Sequence, residues 1–262
     1  MFLTTASVLT TVLYCLSAFL VFKQLGLTAQ SRWIALAPAL LATLFQALLL
    51  NHLIYQPEGL NLGFFVALSL ITWLVAILIL LSSYFRRIES LGIAIFPISG
   101  LACLLATETD SIQLIEITSN AIQGHILISV VAYSLITLGA LQATLLAFQD
   151  HAIRSHHPGG LIRFLPPMHD MESLLFVFLG FGFASLSISL LSGFFFLEDI
   201  FAQQLAHKTI LSIIGWVILG ILMFGRLQFG WRGKTAIRWT ISAFLFLMLA
   251  FFGSKLVLEF IL

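Results

Sequence analysis

Eight apolar segments, each close to the length of a bilayer crossing, occupy most of this chain: near 5–22, 33–53, 62–82, 89–106, 125–148, 174–196, 207–225 and 237–257. A hydrocarbon core takes roughly 20 apolar residues per helix. Inside it every backbone N–H and C=O needs a partner within the protein, and segments this long meet that demand as helices. With 60% hydrophobic and 9% charged residues, the composition excludes a soluble globular domain. The expected fold is all-α, a polytopic integral membrane bundle of about eight transmembrane helices that forms one domain over 1–262. No basic residue precedes the first segment and no small-residue cleavage site follows it, so it reads as a retained span and not a cleaved signal peptide.

The loops alternate in charge. Lys23 and Arg32 flank the loop after the first span, Arg86 and Arg87 follow the third, Arg154 and Arg163 the fifth, and Arg226, Arg232, Lys234 and Arg238 the seventh, which places ten of the 12 basic residues on one side. The other side holds Lys208 and Lys255 at span ends, with Glu58, Glu108, Asp110, Glu116, Glu198, Asp199 and Glu259. The positive-inside rule makes the basic side cytoplasmic, so both ends of the sequence fall outside. An odd number of spans would destroy this alternation. It also accounts for the basic residues, spread over four loops, without a nucleic-acid partner. Cys15 and Cys103 lie within spans and form no C-x-x-C pair, so neither a disulfide framework nor redox exchange is expected.

Two loops stand out. The outer loop 107–124 is acidic with interleaved Ile and Leu, and is expected to lie on the surface as a short amphipathic helix. The inner loop 149–173 carries His151, His156, His157 and His169 among Gly and Pro, and Asp170 or Ser173 is placed to cap the sixth helix. The spacing of these four histidines matches no zinc pattern, leaving a solvated loop or a weak metal site.

Small and polar residues recur at helical spacing: Gly182, Ser185, Ser189, Ser192 and Gly193 on the sixth span, and Ser129, Tyr133, Thr137 and Thr144 on the fifth. Tight packing of membrane helices accounts for both stripes; a polar wall of a ligand cavity is the alternative. His125 opens the fifth span, His207 opens the seventh and His52 closes the second, all toward the outer face. Solvated interfacial histidines are one reading. The other is a ligand site, since neutral imidazole binds heme iron and two imidazoles can hold the macrocycle from both faces.

The last third of the chain narrows this choice. The stretch Gly230-Trp231-Arg232-Gly233-Lys234-Thr235-Ala236 resembles the G-W-R-G-x-x-(A/S) loop of the cytochrome c assembly family, the CcsA-like heme-handling membrane proteins. Four further segments agree in order and spacing: Leu165 to Glu172 (LPPMHDME), Ser192-Gly193, Ala206 to Ser212 (AHKTILS) and Phe251 to Ser254 (FFGS). The match over about 125–257 most resembles the short YpjD-type branch, with the HemX-type branch as a cousin.

The resemblance implies a bacterial inner-membrane protein that binds non-covalent, b-type heme near the outer, periplasmic face, with apocytochrome or other membrane assembly proteins as partners and no catalysis of its own. It puts His125 in the place of an outer axial ligand to heme iron. With His207 or His52 opposite, the expected cavity lies between the second, fifth, sixth and seventh spans. Trp231 is expected as an interfacial anchor, with Arg232 and Lys234 near lipid phosphates. The chain departs from the family at 196–205, where a tryptophan-rich loop is replaced by a stretch with no Trp, at Phe224, which stands where a histidine is expected, and after the last span, where no histidine follows. A regulator or assembly partner that has lost heme is therefore the second reading. A small transporter with spans interrupted at Pro38 and Pro97 is the third.

Reporter fusions at Arg87, Gly160 and Gly233 should read as cytoplasmic, and fusions at Gly59, Ser111 and Leu262 as external. A cytoplasmic reading at Leu262 would overturn the eight-span arrangement.

Overall fold

A helix in hydrocarbon is bounded less by its sequence propensities than by where its backbone can again reach water, and most helices here run past the apolar windows that announce them. The computed structural model describes residues 2–24, 29–57, 59–86, 88–109, 114–115, 120–155, 165–196 and 203–253. Its helices are α1 (Phe2–Lys23), α2 (Ala29–Ile54), α3 (Phe64–Phe85), α4 (Gly92–Glu108), α5 (Asn120–Arg154), α6 (Met168–Phe196), α7 (Gln203–Phe229) and α8 (Lys234–Met248). A 3-10 turn, Glu89–Leu91, leads into α4, and a π turn, Leu249–Gly253, extends α8. Among the described residues eight helices are long and apolar enough to cross a membrane. At 1.5 Å per residue, α5 with its 35 residues is about 50 Å long, far more than a hydrocarbon core requires. The excess lies in polar ends such as Asp150–Arg154, an i,i+4 ion pair at 2.9 Å that supports the helix beyond its apolar stretch.

The chain forms two compact units, Met1–Ile117 and Thr118–Leu262. In the first, each of α1 to α4 packs on its chain neighbours, and α4 returns to α1. Gly100 permits the return. A Cβ there would meet the Thr11 backbone at 2.9 Å, and the Thr11 hydroxyl donates to the Gly100 carbonyl at 2.9 Å. Several polar groups in the interior are paired across helices. The Tyr14 hydroxyl donates to Gln46 Oε1 at 2.7 Å, Gln46 Nε2 donates to Ser69 Oγ at 2.9 Å and to the Ser69 carbonyl at 3.2 Å, and Ser99 Oγ donates to the Thr72 carbonyl at 3.0 Å. Tyr14 also stacks on Phe96, and both rings are fully buried.

Two expectations for this unit need correction. Pro38 and Pro97 lie inside continuous helices, so neither α2 nor α4 is interrupted. A proline removes one intrahelical donor, and neighbouring helices can re-satisfy the backbone around it. Beside Pro38, Ser17 Oγ on α1 donates to the Ala35 carbonyl at 2.7 Å. The outer loop contributes a strand where an amphipathic helix was expected. Tyr55–Gln56 (β1), Gly59–Asn61 (β2) and Leu114–Ile115 (β3) form an antiparallel sheet in the order β1-β2-β3. The β1–β2 hairpin leaves a free edge on β2, and the Leu-Ile pair satisfies it. The rest of that loop, 110–113 and 116–119, lies outside the described residues.

In the second unit α5 packs on α6 and α8, and α7 packs on α6 and α8. Gly182 brings α6 against α5, since a Cβ there would meet Ile136 Cγ1 at 2.8 Å. The small-residue stripe on the sixth span is thus in part a packing surface, as expected. Thr137 and Thr144 on α5 donate back to carbonyls of their own helix. Helix α6 starts at Met168, ahead of the expected caps. The Pro167 carbonyl accepts from the Asp170 and Met171 amides, Gln149 Nε2 donates to the Pro166 carbonyl at 3.1 Å, and Gln142 Nε2 donates to the Met171 carbonyl at 3.2 Å. Two glutamines of α5 thus hold the start of α6, and Asp170 sits in its first turn.

Gln46→Leu should lower stability by about 1–2 kcal/mol, since it removes several interhelical hydrogen bonds and leaves the Tyr14 hydroxyl in an apolar core. Thermal melting in detergent tests this, and a melting point equal to wild type would remove the network from the stability of the first unit.

Candidate functional site

At the start of α5 a column of polar groups faces α6. His125 and Ser129 lie one turn apart on α5, and Ser189 and Ser192 lie three residues apart on α6, which puts each pair on one helix face. His125 Nδ1 is 2.8 Å from Ser192 Oγ, and Ser129 Oγ is 2.7 Å from Ser189 Oγ. Ser192 Oγ donates to the Ser189 carbonyl at 2.8 Å, and Ser129 Oγ donates to the His125 carbonyl at 2.6 Å. Ser189 is buried, while His125, Ser129 and Ser192 are half-buried. One turn further along α5, Tyr133 is buried, hydrogen-bonds to Ser212 of α7, and packs on Phe251 of the π turn with ring centroids 5.2 Å apart. His125 therefore heads a polar face that reaches both α6 and α7.

Among the described residues no group of three or more His, Cys, Asp or Glu could hold a metal ion. Heme iron already carries four ring nitrogens, so one imidazole suffices as an axial ligand. With Nδ1 engaged by Ser192, Nε2 of His125 is the nitrogen left for such a bond.

No described contact joins the other expected site residues to this column. His52 is exposed in the last turn of α2, in the first unit. His207 belongs to the beginning of α7, where the side chains lie outside the described residues. Of the inner histidines, His151 and His169 are exposed, and His156 and His157 lie outside the described residues.

A second constellation forms around the loop between α7 and α8. Arg226 Nη1 donates to Glu172 Oε1 at 3.1 Å and to the Trp231 carbonyl at 3.2 Å, and its guanidinium lies 4.5 Å from the Phe176 ring centre. Arg232 approaches the same carboxylate at 3.8 Å. Trp231 packs on Phe229, on Trp239 and over Gly225, where a Cβ would overlap its indole. Gly230 and Gly233 have φ of 64° and 53°, the left-handed region that favours glycine. The G-W-R-G stretch is thus a turn whose glycines set the backbone and whose indole is packed within the unit. The interfacial-anchor expectation for Trp231 captured the residue type but not these contacts. The sequence placed Glu172 in the LPPMHDME segment and Arg226 after the seventh span, but nothing in it paired the two.

The family model described as cytochrome C assembly protein matches residues 33–262. Inner membrane protein YpjD of Escherichia coli is 27% identical over 166 residues, covering 63% of this chain and 62% of that protein. An uncharacterized 28.8 kDa protein of Azospirillum brasilense is 34% identical over 140 residues, covering 53% and 52%. Cytochrome c biogenesis protein CcsA of Chlamydomonas reinhardtii is 23% identical over 205 residues, covering 74% of this chain and 57% of that protein. The matched part of the chain thus spans less than two thirds of each of these relatives. No solved structure matches the chain.

Gly233→Ala should cost about 1–3 kcal/mol, because φ of 53° with ψ of −126° is a conformation essentially reserved for glycine. The check is thermal melting together with proteolysis at the α7–α8 turn. Unchanged stability would mean that the turn relaxes freely.

Proposed function

Because the chain belongs to the cytochrome c assembly protein family, we propose that it is a heme-handling membrane protein of the bacterial inner membrane, without catalysis of its own. One observation carries the reading: the imidazole of His125 is held at its Nδ1 side by Ser192 and stands half-buried at the head of a polar helix face. His125 is the axial ligand in this proposal, and bound heme would supply an iron centre to be stored, relayed or presented to an apocytochrome. Ser192 orients the ring, Ser129 and Ser189 continue the hydrogen-bonded column beside it, and the α5–α6 packing at Gly182 keeps the two serine-bearing faces in register. The Lys/Arg distribution supports an outer, periplasmic position for this end of α5. His207, in the same unit, is the candidate for a second ligand. The lipid bilayer is the surrounding partner, and no nucleic acid is involved.

A second reading is a membrane regulator or assembly partner that has lost heme. It is favoured by the stretch 196–205, which has no Trp where the family resemblance implies a tryptophan-rich loop.

Visible absorption of the purified protein with quantified heme separates the two readings. A near-stoichiometric Soret band is expected, and its absence after reconstitution with hemin would favour the second reading. His125→Ala should empty or shift this band, while His151→Ala should leave it unchanged. Equal spectra for wild type and His125→Ala at equal expression would remove His125 from the site. In a strain lacking its own CcsA-like protein, this chain alone should not restore covalent heme in a reporter cytochrome, since presentation beside the acceptor thiols needs the outer loop that it lacks. Normal reporter maturation would overturn that expectation.

A further inference from the structure

We infer that Ser192 is a positioning residue that sets the tautomer of His125, keeping the proton on Nδ1 and leaving Nε2 as a bare lone pair. The purpose of this device rests on the heme reading above. The tautomer itself is a property of the heme-free protein and can be tested apart from it.

The argument is a count of protons. A serine hydroxyl has one proton to donate and two lone pairs to accept with, whereas a carbonyl only accepts. Ser192 Oγ lies 2.8 Å from the Ser189 carbonyl, which commits its proton there. Toward His125 Nδ1, also at 2.8 Å, the same oxygen can then only accept. The Ser189 carbonyl also interacts with the imidazole, and it too can only accept. The donor in the Nδ1 contact is therefore Nδ1–H. A neutral imidazole has a single N–H, so Nε2 carries none.

The rest of the column leaves no spare proton to reverse this order. Ser129 Oγ commits its hydrogen to the His125 carbonyl at 2.6 Å, so Ser189 Oγ is the donor in the 2.7 Å contact between the two hydroxyls. All three hydroxyl protons have defined acceptors, and the column has one direction. Were Ser192 to turn its proton onto Nδ1, the His–Ser–carbonyl relay would shrink from two hydrogen bonds to one. The ring would then need an acceptor for Nε2–H. A metal-bound histidine is commonly held in this way, its second nitrogen donating to an oxygen that fixes the ring's tautomer and orientation. Here that oxygen is a hydroxyl on the neighbouring helix, and it is itself aligned by its own backbone.

The test is nuclear magnetic resonance of the full chain, heme-free, in lipid nanodiscs with ring-15N histidine. The His125 signals are identified by their loss in His125→Gln. The expected result is one nitrogen of protonated, pyrrole type at Nδ1 and one of unprotonated type at Nε2. Ser192→Ala should move the ring toward the Nε2–H form, and Ser192→Thr, which keeps the hydroxyl, should preserve the wild-type pattern. Hemin titration of the same samples should show roughly tenfold weaker binding for Ser192→Ala. An Nε2–H signal in wild type, or an Nδ1–H signal undisturbed in Ser192→Ala, overturns the inference. If no sample binds hemin while the Nδ1–H pattern holds in wild type and yields in Ser192→Ala, the tautomer assignment stands and the heme reading falls.

Discussion

Inside hydrocarbon a polar side chain has only other protein groups to bond with, and much of this structure follows from the partners such groups find. Gln46 has no charge, yet it joins α1 to α3 because its amide oxygen and nitrogen each meet a group on a different helix. Serine and threonine meet the same demand at shorter range. Some donate back to their own helix, as Thr137 and Thr144 do, and these add little between helices. Others reach across, as Thr11 and Ser17 do, and these tie neighbouring helices together. Lipid supplies no hydrophobic drive between helices, so these contacts and the close approaches at Gly100 and Gly182 decide which faces meet.

Charged groups link helix ends in a similar way, although Arg32 Nε and Glu89 Oε2 are buried without a hydrogen-bond partner. Arg32 lies on α2 yet donates to the Ser83 carbonyl near the end of α3 at 2.7 Å, and it approaches Glu89 ahead of α4 at 3.9 Å. Arg226 closes the second unit in a comparable way, joining the end of α7 to Glu172 near the start of α6 and to the turn before α8. Two of the basic residues at span ends are thus also tethers between helix ends. A Lys at either position would keep the charge but lose the multi-donor geometry of a guanidinium.

The functional reading grows out of the same chemistry. The His125 ring is held at Nδ1 by one neutral hydroxyl, that of Ser192, which leaves Nε2 as the nitrogen a metal ligand requires. A carboxylate in place of Ser192 would have given a more basic ring and a charge to bury at the membrane boundary. The heme-handling proposal rests on family membership and on the hold of Ser192 on the His125 imidazole, and its rival rests on the absence of Trp from 196–205.

The number of spans, their order and the family were legible in the sequence, because each depends on quantities that survive without coordinates: the length of an apolar run, the side on which Lys and Arg accumulate, and the G-W-R-G stretch with its companions in order. His125 was legible as a candidate for the same reason, since its place at a span end and the serines at i+4 and beyond are local features. Its partners were not. Ser192 lies 67 residues away and Glu172 lies 54 residues from Arg226, and no period or propensity connects positions on different helices. Those pairings depend on the rotation and depth of each helix against its neighbour. That is set by where a missing Cβ allows close approach, at Gly182 against Ile136 and at Gly225 beneath Trp231. Pro38 and Pro97 show the same limit in reverse: their local effect is helix-breaking, and only the packed neighbours of α2 and α4 decide that the helices continue.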